Sequence, residues 1–140
     1  MHDNIKKRIN IAAKRQPADL VIKNCKIVNV FTHEIIEGDI AISDGKIAAV
    51  GNYSGEKEVD AEGRYALPGF INSHIHIESS FVSPEEFSRL VVPHGTTTII
   101  ADPHEIVNVC GMDGFDYMVK AGKNAALDIK YMIPSCVPCL

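Results

Sequence analysis

Tryptophan is absent from this chain, and aromatic residues make up only 6% of it. An excess of positive charge is absent too: 14 Lys and Arg stand against 18 Asp and Glu, for a formal net charge of −4. Polyanions such as duplex DNA are bound through clustered Lys and Arg, so no nucleic-acid partner is expected. The one basic cluster, Lys6, Lys7, Arg8, Lys14 and Arg15, reads as the solvated face of a helix. No apolar run approaches the ~20 residues of a membrane span, which argues against a membrane partner. The opening MHDNIKKRINIAAKRQ lacks the apolar core of a signal peptide. A soluble, cytoplasmic protein is the expectation that follows. The cysteines Cys25, Cys110, Cys136 and Cys139 show no disulfide framework in their spacing and are expected as reduced thiols. Internal repeats and low-complexity segments are also missing.

What is present is a globular composition, 46% hydrophobic and 23% charged, over 140 residues, the length of one ordinary domain. Ile5, Ile9, Ala12 and Ala13 recur at helical spacing, predicting a short amphipathic helix within 1–16, ended by Pro17. From there the period changes. ADLVIKNCKIVNV is β-branched and roughly alternating. GDIAISDGKIAAVG reads as a hairpin with Asp44-Gly45 as its two-residue turn. GEKEVDAEGRYALPG adds turn residues and a further short strand. Residues 17–67 are thus expected as a small unit of antiparallel strands.

At Pro68 the pattern changes again. GFINSHIHI predicts a strand, and SPEEFSRLVVPHG a helix with Ser83 as N-cap, Pro84 in first position and Gly95 at its end. TTTIIADP predicts a second strand. GMDGFDYMVKAGKNAA predicts a helix with Asp113 as candidate cap, and LDIKYMIPS a third strand. Strands alternating with helices imply an α/β unit with a parallel sheet over 68–140.

Polar residues gather where these strands end. His74, His76 and Glu78 end the first, and residues two apart on a strand share a face, opposite Ile75 and Ile77. Asp102, His104 and Glu105 follow the second; Ser135 and Cys136 follow the third. Ligands of parallel α/β folds bind at the carboxyl ends of strands, so the three sets would converge. Imidazole and carboxylate are common ligands of zinc, iron and manganese. Two blander readings compete: a strand-end histidine bonded to a loop carbonyl, and Asp102-Pro103 as simple turn chemistry. The coincidence at three strand ends favours the functional reading. A different zinc site, of the cytidine-deaminase type, would use His76-Ile77-Glu78 with Cys136 and Cys139. Against it, those residues end a strand instead of starting a helix, and Ser135 separates Pro134 from Cys136.

LPGFINSHIHIESS after an N-terminal β unit resembles the amidohydrolase superfamily, whose metal-dependent hydrolases are built on a (β/α)8 barrel flanked by a small β-sandwich. HIHIESS, PHGTTTIIADPHEIVNVCG and PSCVP together resemble the adenine deaminase family of bacteria and archaea. That resemblance runs from about Ile5 to the last residue. It implies hydrolysis of adenine, a small-molecule substrate, to hypoxanthine and ammonia, as in purine salvage. It makes His74 and His76 ligands of a divalent metal, manganese or iron with zinc as an alternative, that supplies hydroxide as nucleophile. Glu78 and His104 become the candidate catalytic proton carriers, and Asp102, Glu105 and Ser135 the candidate substrate-binding residues. Another amidohydrolase, such as a cyclic-amide hydrolase, is the runner-up, and a non-catalytic remnant or split-gene subunit is a third reading.

A full barrel takes ~250 residues. Met1 reads as a native start, so the chain is expected to be an N-terminal portion, inactive alone: about three barrel strands after part of the sandwich. Three strands leave two open edges, and a face of Ile99, Ile100, Met132 and Ile133 would lack cover. An oligomer, or a complementing C-terminal polypeptide, is therefore expected.

Overall fold

A computed structural model describes residues 2–134, with side chains from residue 4 onward. The chain forms two compact units that divide at Pro68/Gly69.

The first unit opens with helix α1 (His2–Ala12) and continues through strands β1 (Ala18–Asn29), β2 (Glu34–Ser43), β3 (Lys46–Gly51), β4 (Gly55–Asp60) and β5 (Tyr65–Ala66). They make one five-stranded sheet of order β3-β2-β1-β4, with β5 also paired to β1. The hairpin turn lies at the expected Asp44-Gly45, both residues holding a positive φ of 50° and 69°. An all-antiparallel unit is not what forms, however. β1 pairs antiparallel with β2, but parallel with β4 and β5. After β3 the chain returns past β2 to the far side of β1, and a strand reached by such a crossover runs parallel to its neighbour. Period alone does not carry that information.

One face of this sheet packs Val21 and Ala41 under Ile11 of α1, with Ala18 completing the cluster. The opposite face carries Cys25, Ile27 and Ile40. The register of β1 and β2 shifts between Ile22 and Cys25. Asp39, 6% exposed, closes that irregularity. Its carboxylate accepts from the Asn24 amide at 3.1 Å, the Tyr53 amide at 3.1 Å and Lys23 Nζ at 2.6 Å.

The second unit contains strands β6 (Phe70–Ile75), β7 (Thr96–Ala101) and β8 (Asp128–Tyr131) in a parallel sheet of order β6-β7-β8. Helix α2 (Pro84–Val91) links the first two strands and α3 (His104–Gly122) the second two. Ser83 caps α2 by accepting from the Glu86 amide at 3.4 Å, and Gly95 ends the segment with φ +95°. Ile77, Phe87, Ile99, Ala101, Met118 and Leu127 form the core between sheet and helices. Ile99 is therefore fully covered, against expectation, and Ile100 is half-buried, whereas Met132 and Ile133 are exposed. Gly69 permits the close start of β6 beside β7, because a β-carbon there would collide with the Thr97 side chain.

Helix α3 departs most from the sequence expectation. Its first segment begins at His104, where the sequence predicts no helix, and Asp113, expected as a cap, lies in the first turn of its second segment, after Gly111. Gly111, with non-helical φ +60° and ψ −149°, separates the two helical segments that make up α3, and the second segment starts close to where GMDGFDYMVKAGKNAA predicts a helix.

Candidate metal centre

β6 places His74 within the strand, and His76 follows just past its end. The register of β6 against β7 is irregular between Asn72 and Ile75. There the Asn72 side chain accepts from the His74 amide at 3.1 Å, which steadies the strand where the ladder is broken. The two imidazoles turn to one side as the alternation requires: their Nε2 atoms are 3.2 Å apart and their rings meet edge to face at 4.8 Å.

Glu78 does not follow them. Ile77 takes a right-handed helical conformation, φ −61° and ψ −41°, and Glu78 opens a 3-10 turn through Ser80. Strand alternation ends before Glu78, so its carboxylate reaches sideways to α3. Glu78 Oε1 accepts from the amides of Glu105 and Ile106 at 3.2 and 3.4 Å.

The end of β7 supplies the second group. The Asp102 amide donates to the Ile75 carbonyl at 2.9 Å, which extends the parallel pairing and brings Asp102 beside His76. Nδ1 of His76 lies 2.7 Å from the Asp102 carbonyl oxygen. A carbonyl only accepts, so Nδ1 carries the proton, and a neutral His76 presents a lone pair at Nε2. The Asp102 carboxylate meets Nδ1 of His104 at 3.2 Å through Oδ2. His104 also stands edge-on to His76, ring centroids 4.6 Å apart. Asp102 Oδ1 is buried and has no hydrogen-bond partner.

One ligand atom from each of His74, His76 and Asp102 lies within 4.8 Å of the others. Two nitrogens bound at ~2.0–2.1 Å to one tetrahedral ion lie about 3.3 Å apart, close to the separation of the two Nε2 atoms. A buried carboxylate oxygen without a hydrogen-bond partner, as Asp102 Oδ1 is, is costly unless a nearby positive charge offsets it. The donor set therefore fits a divalent cation. His76 bonded to a carbonyl and His104 to a carboxylate are arrangements that set tautomer and ring angle around such ions.

Glu105, expected at the substrate, is exposed and accepts from Ser79 Oγ at 2.8 Å through both carboxylate oxygens. Ser135, Cys136 and Cys139 lie outside the described residues, and with them the cysteine-zinc alternative. Asn72 and Ser79 were not among the expected site residues. The signal for Asn72 was its place two before the first histidine of the pair; for Ser79 there was none, because its role depends on where α3 begins.

Residues 65–140 match the model of the amidohydrolase family. The chain belongs to this family. Its members generally use a divalent metal, in keeping with the donor set of His74, His76 and Asp102. The chain is 66% identical over 134 residues to adenine deaminase 2 of Desulfotalea psychrophila, covering 96% of this chain and 23% of that protein. It is 64% identical over 133 residues to an adenine deaminase of Ligilactobacillus salivarius, covering 94% and 23%. Against an adenine deaminase of Geobacillus kaustophilus it is 59% identical over 138 residues, covering 99% and 24%. The chain thus spans about a quarter of the length of the curated relatives it matches. No helix among the described residues is long and apolar enough to cross a membrane.

Proposed function

We propose that the protein serves the hydrolytic deamination of adenine to hypoxanthine and ammonia. In this reading His74, His76 and Asp102 hold a divalent cation, manganese or iron, and the parallel sheet is the opening of a (β/α)8 barrel preceded in the chain by part of a β-sandwich. The observation that carries it is the convergence of the two imidazole Nε2 atoms and the Asp102 carboxylate. The names of the relatives supply the substrate.

A divalent cation held by these residues would serve as a Lewis acid and make water a nucleophile near neutral pH. The chain's own residues do the rest. Asp102 fixes His76 through its carbonyl and His104 through Oδ2, so two rings are set by one residue. With Nδ1 of His104 facing the Asp102 carboxylate, Nε2 is the ring atom left to carry a proton in the reaction. It takes a proton from the attacking water and returns it to the departing amino group. A C–O bond forms at the ring carbon that bore nitrogen, and the C–N bond breaks. Of the two water protons, one leaves with ammonia and one stays on hypoxanthine.

The test uses the manganese-loaded chain, alone and co-expressed with the remaining portion of the Geobacillus kaustophilus relative. Ammonia and hypoxanthine should appear in equal amounts in the co-expressed preparation and be lost on His76→Ala. A metal-loaded preparation that leaves adenine intact and opens a cyclic amide would replace this reading with the runner-up hydrolase.

A further inference from the structure

Helix α3 begins without a cap of its own. Its N-cap residue is Pro103, which has no side chain able to accept a hydrogen bond, and none is made there. The amides of the second and third helical residues, Glu105 and Ile106, are the two that a Ser or Asp cap would ordinarily take. They are taken instead by Glu78 Oε1, from the turn that follows His76. A negative charge at this end also opposes the positive pole of the helix. Next to it, Ser79 Oγ donates to both carboxylate oxygens of Glu105. Two successive residues of one turn therefore grip the first turn of α3. That first turn starts with His104, whose ring stands against His76.

We propose that Glu78 is a positioning residue: its carboxylate clasps the start of α3 and thereby sets His104 and Asp102 against His74 and His76. Whether Glu78 moves a proton itself is a separate matter, and the two roles make different demands. Clasping needs one acceptor oxygen at the right reach. Proton transfer or direct ligation needs the carboxylate charge. The inference rests on the proposed metal-dependent function only for its consequence at the cation; the clasp can be tested without metal.

Three variants separate the roles. Glu78→Gln keeps reach and an acceptor oxygen but loses charge. Glu78→Asp keeps charge but is one methylene short. Glu78→Ala loses both. Two readouts are taken on each protein: hydrogen exchange at the Glu105 and Ile106 amides without metal, and cobalt(II) affinity with its visible spectrum. In Glu78→Ala and Glu78→Asp, exchange at the two amides should rise about tenfold, as for loss of a charge-assisted hydrogen bond. Cobalt affinity should fall roughly 10–100-fold, the usual cost of losing an outer-sphere partner. In Glu78→Gln both should change clearly less than in the other two variants, with the cobalt spectrum preserved. A general loss of stability would not move in this order, and melting curves of the three variants control for it. Should Glu78→Asp retain protection and affinity while Glu78→Gln loses them, the clasp is wrong and the charge is what matters. If the parent protein binds no cobalt, the metal reading falls, while the exchange pattern still decides the clasp.

Discussion

His76 does two jobs with its two nitrogens, and Asp102 makes that division possible. The carbonyl of Asp102 holds the His76 proton on Nδ1, leaving Nε2 toward His74. Asp102→Asn keeps this carbonyl but exchanges the unpartnered Oδ1 or its neighbour for an amide that repels a cation. Metal affinity should fall about 10–100-fold with little change in folding; calorimetric titration alongside a melting curve checks both. Asp39 is the corresponding structural carboxylate. Burial pushes its pKa up, but the hydrogen bonds from Lys23 and from the Tyr53 and Asn24 amides outweigh burial and hold it below the ordinary value. A lowered pKa means the folded state favours the charged form. The contribution is complete above the unfolded value of about 3.9 and is lost as pH falls through the lower folded value. Asp39→Asn should cost about 1.5–3 kcal/mol near neutral pH, less in acid, as a urea titration at several pH values would show. The paired histidines were legible because the period of a strand is two. Glu78 was not, because strand geometry stops at Ile77 and nothing in IESS announces it.

Elements pack here through a few tight contacts. A β-carbon on Gly69 would collide with Thr97, so Gly69→Ala should part the starts of β6 and β7 and destabilise the second unit by about 1–3 kcal/mol. Increased exchange confined to the β7 amides would mark this route to instability. Tyr131 joins β8 to α3 by donating from its hydroxyl to the Met118 carbonyl at 2.6 Å. Burial pushes that hydroxyl up to about 12, with the charges of Glu85 and Glu78 adding to it. A raised pKa favours the protonated form in the fold. The stability it brings is present below about pH 10 and is lost as pH rises through about 12. Alkaline unfolding of the parent protein should therefore show a tyrosine-linked step in that window, and Tyr131→Phe should remove it. The strand and helix periods were plain in the sequence from Ser83 to Val91 and from Thr96 to Ala101. The start of α3 was hidden, because Asp102-Pro103 looks like a turn and the cap that permits a helix at His104 comes from Glu78, 26 residues earlier.

The molecule as a whole divides where its sequence pattern changes, between Pro68 and Gly69. In the first unit an apolar groove of about 520 Å³ runs along the sheet, lined by Ile27, Ile36, Ile40, Ile47, Val50 and Leu67. Ile47 and Leu67 are 65% and 50% exposed there. Apolar patches of this kind are uncommon on monomers. The native protein should bind an environment-sensitive hydrophobic dye, and Ile47→Glu should cut that binding without altering the melting curve. The parallel placement of β4 and β5 could not be foreseen from residues 52–67, since it depends on a crossover past β2 that leaves no mark on hydrophobic period.

The metal centre is the claim on which the functional account stands, and titration of the metal-free protein with manganese(II) tests it most directly. The expected result is a single saturable site, weakened at least tenfold by His74→Ala and by His76→Ala while both variants stay folded. Unchanged affinity in both variants, or no binding by the parent protein, would contradict it.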